Sequence, residues 1–427
     1  MLEPIALEYI AAAMEGYDIR IIDMRLERRL EKFLVKEKPA IVGFTGFAIH
    51  VNQINRLSKK IKEMLPNTLV LVGGHHATVR PEDFDTPYIN LIVMGEGCSA
   101  IRDLIKVEWE FENIDGIGYL KDGKRVFNKP RVHPDLDDLP FPRRDLVEKY
   151  KGKYHYDWHE DCAIVRSSVG CPFRCSFCAL WGITDGRYLT RDIRNIVREL
   201  KGIKAKAIYF TDDESMIDPM RMMELARLIK QEGIKKKYYL WSRTDSVVNN
   251  PDLFKAWKEI GLEAVIVGYE SYAEESLRKY NKQADLNTQQ KATRILQDLG
   301  IMIIATFIVD QDYTAEDFSK LKQYVQQQKL WQADFQILTP FPGSSIWENN
   351  RHVLITNNWD YWDIVHTVLP TRLSLDEYYK KFYWLVMTAL PFWEKVKLMQ
   401  KYSIKRLLIR FIAGILYRLK GTANYRT

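Results

Sequence analysis

The chain has 427 residues, of which 46% are hydrophobic and 28% charged, so disorder, collagen and small disulfide scaffolds are excluded and two or three globular domains are expected. Lys plus Arg outnumber Asp plus Glu by 63 to 56, a net +7 that is mild for this length and does not call for nucleic acid. Only five cysteines occur, three of them at 171, 175 and 178, which points to a reducing compartment and metal chemistry.

Met1 to Ala13 carries Glu3 and Glu8 and lacks the basic start and apolar run of a signal peptide, so a cytoplasmic protein is expected. No apolar stretch reaches the roughly 18 to 20 residues that span a bilayer, so any membrane contact would be peripheral. The first elements predicted are a helix over Pro4 to Met14, a strand over Asp18 to Asp23, a helix over Arg25 to Leu34 and a strand over Ala40 to Phe44. A helix over Val51 to Met64 follows, then a strand over Thr68 to Val72 ending in Gly73-Gly74, and a strand over Leu91 to Met94 closed by Gly95-Glu96-Gly97. This alternation predicts a parallel α/β domain as far as about Phe127. Ligands of such sheets bind at the carboxyl ends of strands, where Thr45-Gly46-Phe47 and Gly73-Gly74-His75-His76 would sit, and the glycines would let a large planar ligand approach the backbone.

Val132 to Arg144 holds Pro134, Pro140 and Pro142 among acidic residues, a linker composition. Beyond it six apolar strands are predicted, over Ala163 to Ser167, Ala207 to Phe210, Tyr238 to Trp241, Ala264 to Val267, Met302 to Val309 and Phe335 to Thr339. Together with intervening helices they predict a partial parallel barrel with its site at the carboxyl ends of the strands. Tyr188, Trp241, Tyr269 and Phe341 stand near strand ends, where they either line an apolar pocket or pack as core. After Glu394 no carboxylate occurs, whereas Lys395, Lys397, Lys401, Lys405, Arg406, Arg410, Arg418 and Lys420 do. That segment is either a basic amphipathic helix for an anionic membrane surface or a final helix packed on the barrel with its charges solvated. The division expected is 1–130, a linker at 131–156, 157–385, and a basic tail at 386–427.

Gly170-Cys171-Pro172-Phe173-Arg174-Cys175-Ser176-Phe177-Cys178 puts three thiols on one tight loop after a strand. A structural zinc site wants four closed ligands, whereas an iron–sulfur cube held by three cysteines keeps one iron open to a substrate. Cys98 follows a glycine turn in the other domain and Cys162 begins an apolar strand, where a lone cysteine is a small core residue.

The C-x-x-x-C-x-aromatic-C spacing, with Phe177 as the aromatic, resembles the radical S-adenosylmethionine (SAM) superfamily. The resemblance implies a 4Fe-4S cluster on Cys171, Cys175 and Cys178 whose open iron chelates SAM, and reductive cleavage to a 5′-deoxyadenosyl radical. It implies that Asp213 and Glu214, in Thr211-Asp212-Asp213-Glu214-Ser215, meet the SAM amino group. Arg243 would meet the SAM carboxylate, and Glu270, in Gly268-Tyr269-Glu270-Ser271, the ribose hydroxyls. Asp310 departs from the glycine often found after the fifth strand.

The N-terminal part resembles the cobalamin-binding domain of one branch of that superfamily. On that resemblance Thr45, Gly46, Phe47, Gly73, Gly74, His75, Gly95 and Glu96 would surround cobalamin, and His75 or His76 would hydrogen-bond a cofactor amide. The family domain opens with a strand and loop ahead of the helix at Pro4, so a first strand is expected to be missing, through a truncated gene model or a sheet that closes differently. No histidine is then expected below the cobalt, and an apolar or small residue would cap that face. Within the branch, Trp181 and Asp185-Gly186-Arg187-Tyr188 in the run from Cys178 to Asp192 resemble the hopanoid C-3 methylases. So do Phe307-Ile308-Val309, Leu338 to Gly343, and Trp359 to Arg372 with His366. This implies methyl transfer from methylcobalamin to an unactivated sp3 carbon of a hydrophobic small molecule or lipid, and a low-potential electron donor such as flavodoxin or ferredoxin. A membrane lipid would give the basic tail a purpose at the inner membrane face. The alternative is a cobalamin-containing cyclase or tetrapyrrole-modifying enzyme that does not methylate.

Overall fold

The structure is a computed structural model that describes residues 1–156, 159–391 and 393–394. Its first sheet has five strands in the order β1 (Ile41–Thr45), β2 (Leu69–Gly73), β3 (Leu91–Val93), β4 (Ile117–Lys121) and β5 (Lys124–Phe127). The first three are parallel, with Thr45 opposite Gly73, so the loops after β1 and β2 emerge side by side. The last two are an antiparallel hairpin, which corrects the all-parallel expectation. Its turn is Asp122-Gly123, both residues at positive φ, and an Asp-Gly pair is a strong hairpin signal.

The expected strand at Asp18 to Asp23 pairs with no ladder among the described residues. Side chains hold it instead: Ile21 is buried, and the Asp23 N–H donates to the Tyr150 hydroxyl at 3.3 Å. Asp23 also explains why the next helix spans Leu30–Glu37 instead of Arg25 to Leu34. Its carboxylate accepts the Arg25 N–H at 3.0 Å and the Arg25 guanidinium at 2.8 and 2.5 Å, a local turn that competes with helix.

The second sheet has six strands, all parallel: β6 (Cys162–Val165), β7 (Ala207–Phe210), β8 (Lys237–Arg243), β9 (Leu262–Glu270), β10 (Met302–Val309) and β11 (Gln332–Ile337). Strand alternation sorts the side chains by face. Val165, Phe210, Leu240 and Val267 pack outward under the helices, while Ile164, Tyr209, Tyr239 and Ile266 pack inward. The helices start where acidic residues can cap them, as Asp192 does for Ile193–Gly202 and Asp218 for Pro219–Gln231. Leu2 and Ile5 pack against the inward cluster, and the Glu3 carboxylate accepts the Ile164 N–H at 2.6 Å, covering the free edge of β6.

The proline-rich stretch after residue 131 is an ordered strap, because Leu136 and Leu139 pack into the first sheet's core and Val147, Tyr150 and Tyr154 into another cluster. The two sheets meet elsewhere as well. Ala48 shares a cluster with Trp347, Trp362 and Val368, the His76 ring lies 4.6 Å from Trp359, and Asn52 donates to Asn358 at 2.6 Å. Among the described residues no helix is long and apolar enough to cross a membrane. The basic segment from Lys395 to Thr427 lies outside the described residues.

Candidate functional site

Loops at the carboxyl ends of the two sheets meet, the helix His75–Val79 after β2 packing against Trp181–Thr184 beyond the cysteine loop, and the cleft they border is the candidate site. From the first sheet, Gly74 begins the short helix His75–Val79 with φ 104° and ψ −173°, a conformation that only glycine adopts without strain. A Cβ on Gly74 would also stand 2.7 Å from the Thr45 hydroxyl oxygen and 3.0 Å from the Gly46 carbonyl, so the β1 and β2 loops interlock only because this side chain is absent. The result is a cradle of bare backbone, which suits a macrocycle approaching edge-on. Phe47 stands on its rim, 57% exposed, with its ring 5.2 Å from His75.

The two adjacent histidines have separate fates. His76 turns inward, bonded to the Asp83 carboxylate at 2.7 Å. His75 is reached by solvent, and burial of its ring atoms, with Arg166 nearby, pushes its imidazole down. Glu96 is occupied as a helix cap, accepting the Cys98 and Ser99 N–H groups at 2.9 and 2.7 Å. It therefore fixes the loop of Gly95 and has little left for a ligand.

From the second sheet, the loop after β6 carries Cys171, Cys175 and Cys178, all partly accessible. Burial pushes Cys171 up to about 11 and Cys178 up to about 12, against N–H groups of Phe173 and Leu180 that favour the thiolates. Among the described residues no three His, Cys, Asp or Glu side chains converge on one ion. Three thiols on one loop are a donor set that suits an iron–sulfur cube, whose thiolates bind separate irons, better than a closed four-ligand zinc site. Cys98 and Cys162 are both buried in hydrophobic clusters.

Around the cysteines lie the charged residues singled out in the sequence. Asp213 accepts the Gly170 N–H at 2.7 Å, tying the end of β7 to the cysteine loop, and burial pushes its carboxyl up to about 6. Glu214 is pushed up to about 7 by complete burial, although Ser246, the Met216 N–H, Arg243 and Lys282 favour its anion. A cationic ligand would relieve both carboxyls. Unpartnered buried hydroxyls of Ser215 and Thr244 lie on the same strand ends, and such atoms suit a polar ligand. Asp212, by contrast, is structural, accepting the Ser167 and Ser168 N–H groups at 2.7 and 2.9 Å.

Arg243 grips Asp245 at 2.9 and 3.2 Å and the Lys282 carbonyl at 2.6 Å. Its plane covers the Phe173 ring at 3.7 Å, and one N–H reaches the Cys175 sulfur at 3.9 Å. It thus steadies the cysteine loop, with a single edge left for an anion. Phe177 packs with Tyr280, Ile308, Leu338 and Ile346. Asp310, which departs from the family glycine, accepts the Tyr280 hydroxyl and Lys279 at 2.8 Å each.

Glu270 sits at φ 63°, at an irregularity in the β9–β10 register, which turns its carboxylate toward the Lys282 ammonium at 2.7 Å. Both are buried, and Gly268 is what makes room, since a Cβ there would lie 2.3 Å from the Glu270 oxygen and 2.7 Å from the Lys282 nitrogen. Lys282 was not singled out in the sequence, where a lysine in Lys279-Tyr280-Asn281-Lys282 reads as a solvated charge. Burial opposes its charge, but Glu270 and the Cys175 thiolate overcome that and hold its ammonium above the ordinary value. Of the aromatic candidates, Tyr269 is fully buried core, and Trp241 donates to the Tyr209 hydroxyl at 2.5 Å on the inward face. Phe341 joins the tryptophan cluster, and half-buried Tyr188 sets its hydroxyl beside Ser168.

Comparison with known proteins agrees with this layout. Residues 1–105 match the B12 binding domain model, and residues 165–325 match that of the Radical SAM superfamily. The chain is 30% identical to the hopanoid C-3 methylase of Methylococcus capsulatus over 99% of its own length and 82% of that protein. It is 28% identical to an uncharacterized methyltransferase of Pyrococcus horikoshii over 88% of its length and 85% of that protein. Its fold matches the solved structure of the cobalamin-dependent S-adenosylmethionine radical enzyme OxsB with aqua-cobalamin and S-adenosylmethionine bound. That match has a TM-score of 0.74 at 15% identity, covering 90% of this chain and 64% of that one. With two family models on its two sheets and a full-length relative at 30% identity, the chain belongs to the cobalamin-dependent radical SAM methyltransferases, whose cofactors are a 4Fe-4S cluster, SAM and cobalamin.

Proposed function

We propose that the chain methylates an unactivated sp3 carbon of a hydrophobic small molecule, a lipid of the hopanoid kind, at the cleft between its two sheets. The observation that supports this best is the opposition of two unlike loops. The bare-backbone cradle at Gly46 and Gly74 leads into the helix His75–Val79, which packs against Trp181–Thr184 just beyond the cysteine loop, an arrangement that would let a methyl donor and a hydrogen-abstracting group lie on either side of one carbon.

In this reading Cys171, Cys175 and Cys178 hold the cluster, and Asp213, Glu214, Arg243 and Glu270, with Phe177 behind the loop, position SAM. Thr45, Gly46, Phe47, Gly73, Gly74, His75 and Gly95 border cobalamin, with Glu96 acting through the loop it caps. The division into 1–130, 131–156, 157–385 and 386–427 belongs to the same reading. When bound, these groups supply hydrogen-atom abstraction and a methyl donor, so the protein needs no general base. Its own residues orient and shield: Asp213 and Glu214 offer carboxylates to an ammonium, and Phe47 offers apolar surface to a substrate.

A lipid substrate is supported by the 30% identity to a hopanoid methylase and by the exposed Phe47 ring. A lipid would be met at a membrane surface by the basic segment after Glu394, and electrons would come from a flavodoxin- or ferredoxin-like donor. The test is turnover of the anaerobically reconstituted protein with SAM, methylcobalamin, a low-potential reductant and a pentacyclic hopanoid in detergent. The expected product gains one CH2 in mass and forms with two SAM consumed per turnover. Formation of 5′-deoxyadenosine without a methylated product, or ring closure of a supplied tetrapyrrole, would replace this reading with the non-methylating one.

A further inference from the structure

Arg166 is the first residue beyond β6, on the lip of the cleft, and the mechanism above gives it no task. Its Nε–H is buried with no acceptor. Its guanidinium rests over the Tyr9 ring, 4.6 Å from the centroid, and Tyr9 is itself buried and held by an N–H from Arg191 at 3.3 Å. The cation is therefore placed by packing, without a bond that would orient it. From that position its charge reaches groups of both sheets: it adds to burial in pushing His75 down, and it offsets the burial of Cys98 and of Asp213.

Asp213, which feels its charge, is committed to Gly170, and Glu96 to its helix cap. A buried guanidinium donor left unmade is costly, so one beside a binding site is a natural place for a ligand acceptor. Three ligands share this cleft. The SAM carboxylate is assigned to Arg243 and its ammonium and sulfonium would be repelled by a second cation, while a hydrocarbon substrate has no acceptor. A corrin carries neutral amide carbonyls around its periphery, which are acceptors that a guanidinium binds without a counter-charge.

We propose that Arg166 is a barrel-side contact to cobalamin, donating from the end of β6 to a peripheral amide carbonyl, so that the cofactor is clasped by both sheets. This rests on the assignment of cobalamin to the cradle of the first sheet. The test is titration of the full-length protein with hydroxocobalamin, followed by absorbance, for the parent, Arg166→Met and Arg166→Lys. Methionine keeps the packing on Tyr9 without the donors, and Kd is expected to rise about 10- to 100-fold. Lysine is expected to fall between the two. SAM binding, read as the shift of the reduced cluster's paramagnetic resonance signal, should stay within about twofold of the parent.

Cobalamin affinity unchanged in Arg166→Met would overturn the contact, and so would a parallel loss of SAM affinity. Circular dichroism melting checks the fold, and Arg166→Gln replaces the methionine variant if that fails to fold. A parent chain that binds no cobalamin would sink the cofactor assignment itself, an outcome distinct from a parent that binds and variants that match it.

Discussion

At the ends of β1 and β2 the cleft is lined by what is missing: Gly46, Gly74 and a His75 whose imidazole is pushed down, with Glu96 spent on capping a helix and Asp83 on His76. At the ends of β7, β8 and β9 stand buried charges, with Asp213 and Arg243 bonded to the cysteine loop and Glu270 to Lys282, and Glu214 among them. On the proposed assignment, the contrast follows from the ligands. A large, nearly neutral macrocycle is recognised by shape, so the protein removes side chains; a small zwitterion beside an anionic cluster is recognised by charge, so the protein buries charges in compensating pairs. The two halves should therefore fail in different ways when altered.

The sharpest separation is expected from Cys175→Ala. Loss of one of three ligands should abolish SAM cleavage, measured as 5′-deoxyadenosine, while cobalamin retained after desalting stays at the parental level. Cleavage that survived would remove the cysteine loop from the chemistry.

Next in size is Lys282→Met, which strands the buried Glu270 carboxylate. Breaking a buried ion pair from one side costs about 3–5 kcal/mol, so the denaturant midpoint should drop markedly. Lys282→Met with Glu270→Gln should regain part of it, because the stranded charge is gone. A single variant as stable as the parent would mean that the charged half is not built on compensation.

A third test probes the contact between the halves. Glu8, on the helix Ile5–Ala13 that packs beside the barrel, is buried with both carboxyl oxygens unpartnered. Burial, then the Glu3 charge, pushes its carboxyl up to about 8; Arg144 opposes this, and Glu199 and Asp145 add to it. The folded protein thus holds a proton that the unfolded chain releases above the ordinary value of 4.5. Stability contributed by this group is full below about 4.5 and is lost as pH rises toward 8, by a few kcal/mol at most. Glu8→Gln should melt like the parent near pH 5 and above it at pH 8. Equal melting temperatures at both values would mean that Glu8 finds a partner.

The sequence carried the barrel well, because β-branched runs between helices announce parallel strands: β7 and β10 fall where periodicity put them, and the cysteine loop follows β6. Gly73-Gly74 marked the loop after β2 as a ligand-binding turn, although glycine turns after parallel strands also bind nucleotides. What it hid were roles decided by partners distant in sequence. Nothing local distinguishes His75 from His76; Asp83 and Trp359 decide it. Lys282 becomes a buried cation only because β9 brings Glu270 to it, and Arg166 only because Tyr9 lies beneath. Two signals were legible and unused: Asp122-Gly123 for the hairpin, and Glu96 two and three residues ahead of the N–H groups it caps.

The smallest effect expected in stability is also the most selective for the uncharged half. Gly74→Ala forces a side chain into a backbone region reserved for glycine and against the Thr45 hydroxyl and Gly46 carbonyl, which together cost about 1–3 kcal/mol. The strain can relax only by parting the β1 and β2 loops, and that widens the surface on which the macrocycle rests. Cobalamin affinity should therefore fall by more than the loss of folding stability alone would bring, while iron and sulfide content and SAM-induced cluster signals stay at parental levels. If cluster loading fell in step with cobalamin, the two halves would be one cooperative site, and the contrast between recognition by absence and recognition by charge would not describe how this cleft works.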